Sequence, residues 1–170
     1  MIAIRLAEPS DISAIQSAEL RAGELFADSP FPQVATMPGM TVEFLADFIA
    51  RGQVWVAVAG GVVIGYAVAD RVDDSAHLQE VGVDPTFGRR GIGTELIATV
   101  VEWARAQGDP SVTLSTFRDL PWNGPYYGRL GFAIIDEVDL TAELREVRAH
   151  EAEIGLPVAE RVLMRLDMRG

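Results

Sequence analysis

Cysteine is missing from this 170-residue chain, and so is lysine; all 14 basic residues are arginine. Without cysteine there is no disulfide, no thiolate metal site and no sulfur nucleophile. Histidine occurs only at His77 and His150, too few for a histidine-rich centre, so no metal is expected. With a net charge of −11 the chain has no basic face, and no nucleic-acid partner is expected. The acidity serves solubility or draws in a cationic substrate. No apolar run approaches the roughly 18 residues of a membrane span. Met1-Ile2-Ala3-Ile4-Arg5 has no signal-peptide layout and reads as a first strand. The expectation is therefore no membrane partner and a cytoplasmic location.

Apolar residues make up 49% of the chain, enough to build the core of one domain over residues 1–170. Ala3 to Leu6 suits a short strand. Pro9-Ser10-Asp11 reads as a turn with a helix cap, and Ile12, Ile15 and Leu20 open a helical stripe. Phe26 to Met40 reads as a loop rich in proline and mobile apolar residues. Thr41 caps a second helix carrying Phe44, Leu45, Phe48 and Ile49, which Gly52 ends. Val54–Ala59, Gly60-Gly61 and Val62–Asp70 predict a hairpin, and Asp73-Asp74-Ser75 turns the chain into a third strand, His77 to Val83. Thr94 to Gln107 is a helix with Leu96, Ile97, Val100, Val101 and Ala104 on one face. A strand over 111–117, a short helix over 123–130, a strand over 132–140, a helix over 141–154 and a strand over 161–168 complete the order. The fold class is α/β: a mixed, mostly antiparallel central sheet with flanking helices, and one β-α-β crossover.

That crossover carries the densest signal. Val81-Gly82-Val83-Asp84-Pro85-Thr86-Phe87-Gly88-Arg89-Arg90-Gly91-Ile92-Gly93-Thr94 takes a strand through a Gly/Arg turn straight onto a helix. Glycines let the backbone approach a ligand, amides at the helix start face outward, and Arg89 and Arg90 add charge, which together make an anion site. A dinucleotide fingerprint fails, because Leu96 stands where the third glycine belongs. A Walker A loop fails for want of lysine. A plain strand-to-helix turn with two solvated arginines is the remaining alternative.

The strand, Asp84-Pro85, the aromatic Phe87 and Arg90-Gly91-Ile92-Gly93 ahead of an apolar helix resemble motif A of the GNAT superfamily of N-acetyltransferases. Tyr127-Gly128-Arg129-Leu130-Gly131-Phe132 resembles the signature near the end of that fold, and the element order matches along nearly the whole chain. The resemblance implies acetyl-CoA as co-substrate. Its pyrophosphate would sit among the amides of Arg89, Arg90, Gly91, Ile92, Gly93 and Thr94, and its pantetheine arm would pair with Val81, Gly82 and Val83. Asn123 would contact the cofactor from a shifted position or cap the helix beginning near Pro125. Gly88 stands where the family usually has Gln or Arg, and Leu120 where it often has asparagine.

The resemblance further implies direct transfer of an acetyl group to an amine, in keeping with the missing cysteine. The backbone N–H of Val81 would stabilise the oxyanion, and Tyr127 would protonate the departing thiolate or simply pack its helix. Glu80 would be the base, or a polar residue on a half-exposed strand face; His77, three residues earlier, faces the other way. An acceptor pocket from Arg21 to Met40 would use Glu24 against a cationic amine and Phe26 and Phe31 as apolar walls. The implied partner is a small-molecule primary amine, and a homodimer is allowed. A protein N-acetyltransferase and a non-catalytic acyl-CoA-binding regulatory module stay open as alternatives.

Overall fold

A computed structural model describes residues 1–169. Its strands are β1 (Ile2–Leu6), β2 (Val54–Ala59), β3 (Val62–Val72), β4 (Ser75–Val83), β5 (Ser111–Phe117), β6 (Ala133–Ile134) and β7 (Arg161–Asp167). Its helices are α1 (Ile12–Gly23), α2 (Val42–Ala50), α3 (Ile92–Ala106), α4 (Gly124–Arg129) and α5 (Ala142–Glu153). The seven strands hydrogen-bond in the order β1-β2-β3-β4-β5-β7-β6. β4 and β5 pair in parallel, Ala76 opposite Val112, while β1–β2, β2–β3, β5–β7 and β6–β7 are antiparallel. The expected mixed sheet with flanking helices is what forms. By packing the chain divides into two compact units, residues 1–69 with 80–100, and residues 70–79 with 101–170.

In the first unit, α1 and α2 bury their apolar stripes with β2 and β3. Ile15, Ala18, Leu45, Phe48, Val54, Val56, Tyr66 and Val68 form one cluster. Thr41 caps α2 as its spacing predicts, its hydroxyl accepting from Phe44 N at 3.1 Å. Asp11 does not cap α1. Its carboxylate instead accepts from Glu8 N at 2.8 Å and from the Arg5 guanidinium at 2.8 and 3.1 Å, which closes the turn before the helix. Leu20 is 69% exposed rather than on the buried stripe. Five residues past Ile15 lie about 140° around a helix of 3.6 residues per turn, so Ala18 takes that place.

The second unit has its own apolar cluster of Val72, Ile135, Leu140, Leu144 and Leu163, with Val147 packed against it. α5 is fixed by Leu144 and by Glu151, which accepts from Arg161 Nε at 2.7 Å; Ile154 lies outside this packing and is exposed. Asp109, buried after the α3 stop, accepts from Arg71 at 2.7 and 3.0 Å and from Ala76 N at 3.0 Å. The strand expected over 132–140 shrinks to Ala133–Ile134. Its apolar residues leave the ladder to enter the core: Ile135 and Leu140 are buried on either side of a short 3₁₀ turn at Glu137–Asp139.

Candidate active site

The glycine turn is built from its first carboxylate outward. Asp84 directly follows β4, is buried, and accepts from Thr86 N at 2.9 Å and from Arg21 Nε at 2.5 Å. Burial pushes its carboxyl up, but the Thr86 amide and the Arg21 guanidinium outweigh that and hold it below the usual range. Pro85–Phe87 make one 3₁₀ turn, and Arg90 lies over the Phe87 ring at 5.4 Å. Arg89 and Gly91 then take left-handed backbone at φ 62° and 76°, and α3 starts at Ile92. Glu95 N donates to Gly91 O at 3.0 Å across the start of the helix, and the amides of a helix's first turn point out along its axis.

Gly88, Arg89, Arg90, Gly91 and Thr94 are exposed, Gly93 is half-buried and Ile92 turns into the core. A Cβ on Gly91 would meet nothing within 4 Å. The glycine there answers to backbone conformation and to open space, not to protein packing. An exposed turn with two arginines at the start of a 15-residue helix fits a diphosphate.

Upstream on β4, Val81, Gly82 and Val83 are half-buried. Gly82 has a definite steric reason: a Cβ would lie 2.5 Å from the Tyr66 hydroxyl oxygen and 2.7 Å from its Cζ. The Tyr66 phenol passes over Gly82 and donates to Glu80 Oε1 at 2.9 Å. Glu19 on α1 brings a second carboxyl near Glu80. Burial, and then the Glu19 carboxyl, raise the Glu80 carboxyl well above the ordinary glutamate range, against the opposing pull of Tyr66. A carboxyl so raised is a stronger base once ionised.

The segment expected to line an acceptor pocket contains short 3₁₀ turns at Glu24–Phe26 and Pro32–Thr36. Phe26 and Phe31 are half-buried and bridged by Ser29, whose hydroxyl donates to Phe26 O at 2.8 Å and accepts from Phe31 N at 3.0 Å. Glu24 is exposed. The first unit thus contains Glu80, the Val81–Val83 edge, the Arg89–Thr94 turn and Glu24, Phe26 and Phe31.

The second unit contains Tyr127 and Asn123. Tyr127 is buried in α4, with Phe132 edge-on at 5.8 Å and Tyr126 at 5.4 Å. Burial, helped by Tyr126 and opposed by Arg161, pushes its hydroxyl above the ordinary tyrosine range, so it stays protonated. Asn123 stands at the cap position of α4 but its side chain does not cap; Nδ2 donates to Trp122 O at 3.0 Å. His77 is buried, and its Nδ1 lies 2.8 Å from Thr113 Oγ1. Burial lowers its pKa to about 4.

Sequence reasoning missed Glu19, Tyr66 and the Arg21–Asp84 pair. Glu19 had one usable signal, a carboxylate beside Ala18 and one turn after Ile15 on a helix face that otherwise buries. Among the described residues, no cluster of His, Cys, Asp and Glu is arranged to hold a metal, and no helix is long and apolar enough to cross a membrane.

Residues 21–132 match the acetyltransferase (GNAT) family, and the chain belongs to it. Solved structures repeat the fold. The PaiA N-acetyltransferase of Thermoplasma acidophilum, in complex with coenzyme A, is 15% identical with a TM-score of 0.75, over 98% of this chain and 99% of that one. The ribosomal-protein-S18-alanine N-acetyltransferase of Escherichia coli is 19% identical with a TM-score of 0.67, over 100% and 97%. The N-acetylglutamate synthase of Neisseria gonorrhoeae, complexed with coenzyme A and N-acetyl-glutamate, is 16% identical with a TM-score of 0.73; the match covers 100% of this chain and 36% of that one.

Proposed function

We propose that this protein is a cytoplasmic, single-domain N-acetyltransferase that moves an acetyl group from acetyl-CoA directly to a primary amine of a small molecule. The observation that carries the reading is the Arg89–Gly93 turn: left-handed backbone at Arg89 and Gly91, two exposed arginines, and open volume at the start of α3. The coenzyme A bound in the similar structures above is the anion such a turn suits.

Acetyl-CoA would supply an activated thioester; the chain's own residues do the rest. The amides from Arg89 to Thr94 and the two guanidinium groups hold the diphosphate. The Val81–Val83 backbone offers an edge to the pantetheine amides. The Val81 N–H donates to the carbonyl oxygen as it gains charge, an interaction of about 3 kcal/mol when the donor is fixed in advance. Glu80 accepts the proton of the amine. Tyr127, on its place in the motif, donates to the leaving thiolate. Phe26 and Phe31 supply apolar walls to the acceptor, and Glu24 supplies charge.

Isothermal titration with acetyl-CoA tests the carrying observation, with binding in the micromolar range expected and no binding at millimolar cofactor sinking it. Thiol release with a panel of primary amines and of peptides then separates a small-molecule enzyme, a protein acetyltransferase and a silent binding module.

A further inference from the structure

Asp84 stands where β4 passes into the Gly/Arg turn, and each of its polar atoms is engaged. Its N–H donates to Ile64 O of β3 at 2.8 Å, and its carbonyl accepts from Phe87 N at 2.8 Å. Oδ1 accepts from Thr86 N at 2.9 Å, and Oδ2 from Arg21 Nε at 2.5 Å. The first three bonds come from the adjacent strand and from the turn itself. The fourth comes from α1, 63 residues earlier in the chain. The carboxylate is the more enclosed partner, with 10% of its side chain accessible against 39% for Arg21. A buried carboxylate left with an amide as its only donor is costly, and its charge acts against any anion bound nearby. The Arg21 guanidinium offsets both effects.

Arg21 also lies at a junction. It sits in the last turn of α1, which runs straight into the Glu24–Phe26 turn. At Gly23, two residues on, an added Cβ would lie 4.0 Å from the backbone of Ala35 in the Pro32–Thr36 turn. The end of α1 therefore touches both the Phe26–Met40 segment and the start of the Gly/Arg turn.

We propose that Arg21 is a positioning residue for the Gly/Arg turn: acting through Asp84, it fixes the point where the turn leaves β4 and cancels the negative charge at its base. The inference rests on the reading of the Arg89–Thr94 turn as the seat of the coenzyme A diphosphate, and extends it to a residue on α1. Arg21 acts on the ligand only through the carboxylate it holds.

Isothermal titration of coenzyme A at about pH 7.5, where an aspartate is ionised, reads this without an acceptor. Arg21→Gln leaves the Asp84 charge unopposed and should weaken binding by about tenfold or more. Arg21→Lys keeps the positive charge and should stay within about threefold of wild type. Arg21→Gln combined with Asp84→Asn removes both charges while keeping an oxygen for Thr86 N, and should also recover to within about threefold. Arg21→His makes the comparison inside one protein, because histidine is charged at about pH 5.5 and neutral at about pH 8. Its affinity relative to wild type at the same pH should be lost only at the higher value, a result that does not depend on Arg21→Gln folding. An Arg21→Gln or neutral Arg21→His protein that binds as tightly as wild type overturns the positioning role. So does a double variant as weak as Arg21→Gln, because the guanidinium would then act on the ligand directly or only hold the fold together. If the wild type binds coenzyme A and the variants do not differ, the diphosphate reading stands without Arg21. If the wild type itself does not bind, that reading falls and this inference falls with it.

Discussion

Gly82→Ala tests the physical arrangement around Glu80 through stability alone. The added methyl would lie 2.5, 2.7 and 2.8 Å from three atoms of the Tyr66 phenol, where ordinary contacts begin near 3.4 Å. The ring is only 2% exposed and part of the first unit's core, so it has no solvent to swing into. Overpacking of this kind costs about 1–3 kcal/mol, and the contact with rigid ring atoms places the expectation at the upper end. Tyr66→Ala alone leaves a cavity worth about 3–5 kcal/mol. In the double variant the methyl added at position 82 occupies space the ring has vacated. The two costs should then fall short of their sum by about 1–3 kcal/mol. Urea unfolding of the wild type, both single variants and the double variant measures the coupling. If Gly82→Ala stays within about 0.5 kcal/mol of wild type, or the costs simply add, the ring does not lie over Gly82 and the Tyr66–Glu80 bond loses its support.

Two further outcomes are expected. Tyr127→Phe should lower kcat by about a hundredfold or more, the span of a lost general acid, with acetyl-CoA affinity by titration calorimetry unchanged; undiminished turnover would assign Tyr127 to packing against Phe132. His77 should make stability fall with acidity. It is neutral in the folded protein down to a pKa of about 4, whereas the unfolded chain takes up the proton near the ordinary value of 6.5. Its contribution is therefore complete above pH 6.5 and is lost between there and about pH 4, amounting to about 3 kcal/mol. His77→Gln should flatten that part of the profile relative to wild type, and parallel profiles would show that His77 titrates normally.

Local chemistry was legible where one residue decides the structure. Thr41 announces α2, Gly60-Gly61 the hairpin, and the Gly/Arg turn the start of α3, because caps and left-handed turns depend on neighbours in sequence. Legibility failed where tertiary packing overrides pattern. Residues 132–140 carry a strand's composition, yet burial of Ile135 and Leu140 draws them off the ladder after two residues. Asp11 looked like a helix cap until Arg5, six residues earlier, claimed its oxygens. The candidate site divides in the same way. The anion turn is a local motif and could be read directly. The environment of Glu80 is assembled from α1, β3 and β4, and no spacing along the chain shows that residues 19, 66 and 80 meet.

The brevity of β6 limits what that margin of the sheet offers to a further strand. A sheet that stops on a two-residue strand offers an incoming chain almost no ladder to extend. Asp136 and Asp139, both exposed, follow at once and repel a neighbour of the same sign, while Glu137 is paired with Arg148. Little of β6 is left for another strand to pair with at that margin.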